Sequence, residues 1–215
     1  MSERRRLLIL GTRTFAVEVA DLASDVPDIV VDGFVENMDR DKAGTHLEQL
    51  PIHWIDDVAA LAGTHQAICA LSTTHRSRFV EQAAALGMPF ATLVHPTARV
   101  SQTAVIAEGA IISAGVIIGA HARIGPHVIL NRGALVGHHT VLEAYATIGP
   151  GANIGGCCNV GTSTYIGIGA IVLDQLTVGS HSIVGAGAVV TKAVADRVQV
   201  MGIPARVTRE HIEGR

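Results

Sequence analysis

The chain has 215 residues, 48% of them hydrophobic, which is enough for one solenoid and one small domain, each with its own core. Lys and Arg number 16 against 19 Asp and Glu, so no basic field points to nucleic acid, and only 3% of residues are aromatic. Arg4, Arg5 and Arg6 precede a short strand rather than a long apolar core, which argues against secretion or membrane insertion, and the three cysteines, Cys69, Cys157 and Cys158, form no CxxC, which fits a reduced, cytoplasmic setting.

Leu7 to Leu10 is a short apolar run ended by Gly11, and Phe15, Val19 and Leu22 then share one face of a helix over 14–23. A strand, a glycine turn and a helix N-terminus in that order leave backbone N–H groups to meet an anion. A second strand over 29–35 leads into Glu36-Asn37-Met38-Asp39, followed by a strand over 52–55 and a helix from about 56 to 62. The strand over 67–71 runs into Ser72-Thr73-Thr74, and a helix over 75–86 is stopped by Gly87. Strands alternating with helices predict a parallel, Rossmann-like sheet in a domain of residues 1–93. The turn Gly11-Thr12-Arg13-Thr14-Phe15-Ala16 is not a G-x-G-x-x-G, because Arg13 and Ala16 hold the second and third glycine positions. That disfavours a dinucleotide and leaves two readings, a phosphate or sugar nucleotide meeting Gly11 and Arg13, or a purely structural turn.

From Val94 to Val190 an aliphatic residue returns at every sixth position, seventeen times in register. The residue four further on is usually small, as at Ala98, Ala110, Ala134, Cys158, Thr164 and Ser182. The residue just after the aliphatic one is often glycine, as at Gly119, Gly137, Gly155, Gly167 and Gly185. A helix repeats near 3.6 residues and a flat strand at 2, so a period of six fits short strands joined by tight corners. Glycine is expected to serve those corners, where positive φ is needed. This is the hexapeptide signature of a parallel β-helix, whose coil in such proteins is triangular, left-handed and three hexapeptides long. Seventeen hexapeptides give about 5.7 coils and a prism about 27 Å tall at roughly 4.8 Å per strand, over residues 94–195. Beyond it, Val198-Gln199-Val200 and the turn Gly202-Ile203-Pro204-Ala205-Arg206 form a segment, 196–215, suited to cover the open end of the solenoid.

His138 and His139 occupy the third and fourth places of the Val136 hexapeptide, beside a corner. A corner residue points out of the prism, where it can face a cleft between two packed prisms, and a neutral imidazole is the usual general base near pH 7. His46, His53, His65 and His211 are expected to be solvated surface residues. His121 and His139, eighteen apart, fall on one corner a coil apart, and His127 and His181, fifty-four apart, share another column. Stacked imidazoles allow a zinc reading of the kind found in solenoid carbonic anhydrases, disfavoured here because no carboxylate stands beside either pair. Cys157 and Cys158 offer a thiol nucleophile, but the repeat already explains them, Cys158 as a small inward residue and Cys157 as a corner.

The small α/β domain, His95-Pro96-Thr97-Ala98 opening the repeats, Asn131-Arg132-Gly133-Ala134, Pro150-Gly151-Ala152 and Gly202-Ile203-Pro204-Ala205-Arg206 together carry a specific likeness. Over essentially its whole length the chain resembles the bacterial sugar acyltransferases of the left-handed β-helix type, which acetylate sialic acid hydroxyls or the amine of UDP-linked 4-amino sugars. The resemblance implies acetyl-CoA as co-substrate, no metal, a small-molecule sugar acceptor, and a homotrimer with active sites between adjacent prisms. It implies His138 as the base with His139 beside it, and a sugar-side contact at Asn131. Pantetheine would lie along the prism near Gly156 and Ile168, with further CoA contacts near Thr147 and Ala186. The sugar or nucleotide end would lie near Gly11, Arg13, Glu36 and Ser72.

The chain departs from the family pattern at three places. His139 stands where an acidic residue usually follows the base, Thr147 stands where a second histidine meets the thioester end of CoA, and the glycine-rich N-terminal loop is reduced to Gly11 with Arg13. The expected chemistry is direct attack in a ternary complex, His138 taking the proton and backbone N–H groups near Gly155 and Gly156 stabilising the oxyanion. A trimeric sugar-nucleotide-binding scaffold without catalysis is the alternative, supported by the missing acidic residue. Nitrogen and oxygen acylation both stay open.

Overall fold

The computed structural model describes residues 5–215, so Arg4 of the basic cluster lies outside the described residues. The chain divides into two compact units, Met1–His95 and Pro96–Arg215. No helix among the described residues is long and apolar enough to cross a membrane.

The first unit runs β1 (Arg5–Leu10), α1 (Thr14–Ser24), β2 (Ile29–Glu36), β3 (His46–Leu47), β4 (Leu50–Trp54), β5 (His65–Cys69) and α2 (Ser77–Ala85). Leu7 to Leu10 are all buried, as a strand inside a parallel sheet must be, and the sheet order β3-β4-β2-β1-β5 puts β1 between two parallel neighbours. The basic residues Arg5 and Arg6 belong to β1 itself rather than preceding it. Two features depart from the sequence reading. The segment expected as a helix over 56–62 is a 3₁₀ helix, Ile55–Leu61, and β3 forms an antiparallel edge hairpin with β4. His65 is also not a surface residue. It is buried at the start of β5, its Nε2 2.9 Å from Asp32 Oδ2 and its Nδ1 2.8 Å from Thr64 Oγ1, because β5 packs edge-on beside β1 and the imidazole needs partners there.

In the second unit every expected aliphatic position from Val100 to Val190 is the second residue of a two-residue strand, and each strand pairs in parallel with the one eighteen residues away. Three sheets result, one per side of the coil. The aliphatic side chains point inward and are fully buried from Ile112 onward. Polar residues in the small inward column find carbonyl acceptors: Thr140 Oγ1 donates to Gly155 O at 2.8 Å, Thr164 Oγ1 to Gly179 O at 2.6 Å and Ser182 Oγ to Ala195 O at 2.8 Å. At the far end, Gln199–Met201 extends one sheet and pairs antiparallel with Arg206–Arg209.

The glycines do a different job from the one expected. Positive φ belongs to the residue three after each aliphatic position, without exception from Gly109 to Gly187, and eight of those fourteen corners are not glycine, among them His121, His139, Cys157 and His181. From His127 onward each corner is held by its own N–H to a carbonyl one coil back, as in His139 N to Ala120 O and Cys157 N to His138 O, both 2.8 Å. The glycine directly after the aliphatic residue has ordinary φ and is required by close approach. A Cβ on Gly137 would lie 2.5 Å from Gly155 C and Gly156 N of the next coil. Gly137→Ala is therefore expected to cost about 1–3 kcal/mol by overpacking. Gly63→Ala, where a Cβ meets nothing within 4 Å, should change stability by less than about 0.5 kcal/mol. Thermal unfolding of the two variants beside the parent checks the contrast.

Candidate active site

His138 and His139 are both exposed at one corner of the coil. His139 holds the positive-φ place, which turns the chain so that the two imidazoles meet edge to face, 5.3 Å between centroids at 84°. His138 Nδ1 lies 3.1 Å from His139 Nδ1, so one nitrogen donates and the other accepts. The ring of His138 extends over the next coil at Gly156, where a Cβ would come within 2.7 Å of Nε2. A side chain at this position would displace the imidazole from where it lies.

One coil further back, the ring of His121 lies 4.8 Å from that of His139, tilted by 39°, on the corner that the eighteen-residue spacing predicts. One coil onward, Cys157 is exposed with Sγ 3.9 Å from His138 Nδ1. Cys158 faces inward, its thiol bonded to Leu173 O at 3.1 Å, and burial raises its pKa, so it is no nucleophile. The other stacked-histidine pair is not a pair. His127 stacks on Tyr145 at 5.2 Å, and Ser163 occupies the next coil before His181, so His127 and His181 are separated by three coils, about 14 Å. Of the two oxyanion candidates, Gly155 N–H is committed to Val172 O at 2.9 Å, because it belongs to the inter-coil ladder, which leaves Gly156.

The remaining prism residues fall elsewhere. Half-buried Asn131 and exposed Ile168 and Ala186 lie on the preceding corner, across one side of the coil from His138, with Ile168 and Ala186 stacked one coil apart. Thr147 begins a strand and is buried, its N–H bonded to Thr164 O at 2.9 Å. A single chain thus gathers His138, His139 and Gly156 and leaves Asn131, Ile168 and Ala186 apart from them. Cys157 is the member of the cluster that spacing could have supplied, since it stands eighteen residues after His139.

In the first unit Gly11, Arg13, Glu36 and Ser72 converge at the C-terminal edge of the sheet, beside β1, where the chain order reverses. Open α/β sheets bind ligands at such a point. Gly11 has φ 122°, and a Cβ there would lie 3.0 Å from Leu71. Arg13 is exposed at the N-cap of α1, which has no side-chain cap. Glu36 is buried and accepts from the Thr12 hydroxyl and from the N–H groups of Asn37 and Met38 at 3.0 and 2.9 Å, with Lys42 Nζ at 3.6 Å. Burial raises its pKa, but these bonds and the lysine outweigh it, and the net shift is downward from 4.5. A cavity of about 580 Å³ lined by Arg5, Arg6, Thr64, His65 and Gln66 opens at the opposite edge of the sheet.

Because the folded pKa of Glu36 is lowered, its stabilisation is present above about pH 4.5 and is lost as pH falls through the lowered value. Glu36→Gln should lower stability at pH 7 by about 1 kcal/mol, and the gap should close in acid. Trp54, the single tryptophan, reports unfolding of this unit and measures both proteins across pH.

No protein-family profile matches the chain, and no curated protein matches it by sequence. Solved structures match it over nearly full length. The acetyltransferase domain of PglB from Neisseria gonorrhoeae FA1090, in complex with acetyl coenzyme A, gives a TM-score of 0.87 at 30% identity, covering 95% of this chain and 99% of that one. A histidine variant of perosamine N-acetyltransferase from Caulobacter crescentus, in complex with CoA and GDP-perosamine, gives 0.87 at 28% identity, covering 95% and 97%. WeeI from Acinetobacter baumannii AYE gives 0.84 at 25% identity, covering 94% and 99%. With its corner histidines on a left-handed coil of hexapeptides, the chain belongs to the left-handed β-helix sugar acyltransferases. Of these similar structures, one is a perosamine N-acetyltransferase.

Proposed function

We propose that this protein transfers an acetyl group from acetyl-CoA to the amine of a nucleotide-linked sugar, with His138 as general base. The observation that carries this is the His138 corner, where Nδ1 lies 3.1 Å from His139 Nδ1 and Nε2 lies over Gly156, which has no side chain to displace it. If His138 Nδ1 donates to His139, then Nε2 holds the lone pair and can take a proton. In that tautomer His139 would take the orienting place of the family's acidic residue, which weakens the main support for an inactive scaffold. It does so without a negative charge.

The neutral acceptor amine attacks the thioester carbonyl as Nε2 removes its proton, and Gly156 N–H stabilises the oxyanion. Collapse expels the CoA thiolate, which recovers the proton from His138. Holding both substrates in line supplies much of the barrier reduction, up to about 7–11 kcal/mol. The amine is preferred over a hydroxyl because the similar perosamine N-acetyltransferase binds an amino-sugar nucleotide, GDP-perosamine. Residues 1–93 would hold the sugar or nucleotide through Gly11, Arg13, Glu36 and Ser72, residues 94–195 would carry acyl transfer, and residues 196–215 would cap the prism. CoA would run past Gly156 and along Ile168 and Ala186, with Thr147 buried beneath rather than at the thioester.

The assembly we infer is a homotrimer. The side of the coil between the two corners turns Ile117 and Ile171 outward, 45% and 39% exposed, beside Leu135 and Val189. Packing that side against a neighbour would bring the His138 corner of one prism to the Asn131, Ile168 and Ala186 corner of the next. Ile171→Arg should convert a trimer to monomers with loss of activity, which sedimentation reads directly; unchanged mass would remove the inter-subunit site.

Thiol release from acetyl-CoA, against GDP-, UDP- and dTDP-linked amino sugars and free sialic acid, tests the activity. His138→Ala should fall by about 10²–10⁴, Cys157→Ser should keep turnover, and His139→Glu should keep it where His139→Ala loses it. Full activity in the His138 variant overturns the assignment.

A further inference from the structure

The corner that holds the base carries a third side chain that acetyl transfer does not use. Among the described residues, one group of His, Cys, Asp or Glu stands close enough to share an ion, namely His138, His139 and Cys157, whose ligand atoms all lie within 4.8 Å of one another. All three are exposed on the single chain. A tetrahedral zinc site with Zn–N of about 2.0–2.1 Å and Zn–S of about 2.3 Å has edges of about 3.3 Å between nitrogens and about 3.6 Å between nitrogen and sulfur. Here the corresponding distances are 3.1 Å, His138 Nδ1 to His139 Nδ1, and 3.9 Å, His138 Nδ1 to Cys157 Sγ. The third edge is looser, the three ligand atoms lying within 4.8 Å of one another, so an ion has to draw His139 and Cys157 together; they are near because Cys157 sits at the corner one coil beyond His139 with the same positive φ.

We propose that His138, His139 and Cys157 form an inhibitory site for a borderline-soft divalent cation, zinc first, distinct from any cofactor role. Two imidazoles and a thiolate select zinc or cobalt over magnesium and calcium, which require oxygen ligands. Binding releases the Cys157 thiol proton to solvent and moves the remaining His138 proton from Nδ1 to Nε2, since Nδ1 now donates its lone pair to the metal. The nitrogen assigned to take the substrate proton is then already protonated, and the base is off while the fold is untouched. The inhibition rests on the transferase reading; the binding does not.

The test uses the full chain, freed of metal by chelation and titrated with Co²⁺. One cobalt per chain is expected, with thiolate-to-cobalt charge-transfer absorption in the near ultraviolet and the visible bands of four-coordination, displaced by Zn²⁺ and unaffected by Mg²⁺. Cys157→Ser should lose the charge-transfer band. In the acetyl-transfer assay Zn²⁺ should inhibit, a chelator should restore activity, and Cys157→Ser should need at least about tenfold more Zn²⁺ for half-inhibition. A band that survives in Cys157→Ser, or no cobalt bound at micromolar concentration, overturns the site. If no acceptor is turned over, the cobalt spectrum still decides the site, and only the transferase reading falls.

Discussion

Every functional feature of the prism depends on the contact between one coil and the next. From His127 onward each corner N–H reaches back to a carbonyl of the preceding coil, the N–H groups of Gly115 and His121 meet threonine hydroxyls instead, and each strand continues a parallel ladder at intervals of eighteen residues. This register leaves little freedom. Corner residues must take positive φ whether or not they are glycine, and the residue after each aliphatic position must stay small enough for backbone to meet backbone. The ladder bond at each corner offsets the cost of holding a histidine or a cysteine in that conformation.

That rigidity makes a surface corner usable as a site. His138 and His139 are adjacent in the chain, yet their rings meet edge to face because the corner turns between them. The next coil then sets the floor, and Gly156 lies under the imidazole with no side chain to lift it. A carboxylate partner would stabilise the imidazolium by charge as well as by orientation, whereas in the proposed reaction His139 would supply orientation alone.

The first unit solves a different problem with the same economy of residues. Its loop after β1 has one glycine where dinucleotide sites have three, and Glu36 organises that edge by accepting from Thr12, Asn37 and Met38. An exposed Arg13 at an uncapped helix N-terminus then presents positive charge and backbone donors at the edge where α/β sheets receive ligands.

Seventeen aliphatic residues in a period of six determine the prism from sequence alone, because neither a helix nor a flat strand tolerates that period, and the same spacing put His121 and His139 on one corner. The alternating elements of residues 1–93 were legible for the same reason, except where two-residue strand β3 and the 3₁₀ turn at Ile55 leave no periodic signal. What tertiary structure alone decided is where side chains end up once coils stack. Positive φ fell on His139 and Cys157 rather than on Gly137, His65 was drawn inside against Asp32, and Gly155 lost its N–H to the ladder. Those outcomes depend on distances between neighbouring coils and strands, and a one-dimensional pattern fixes which residues are neighbours without fixing how closely their atoms meet.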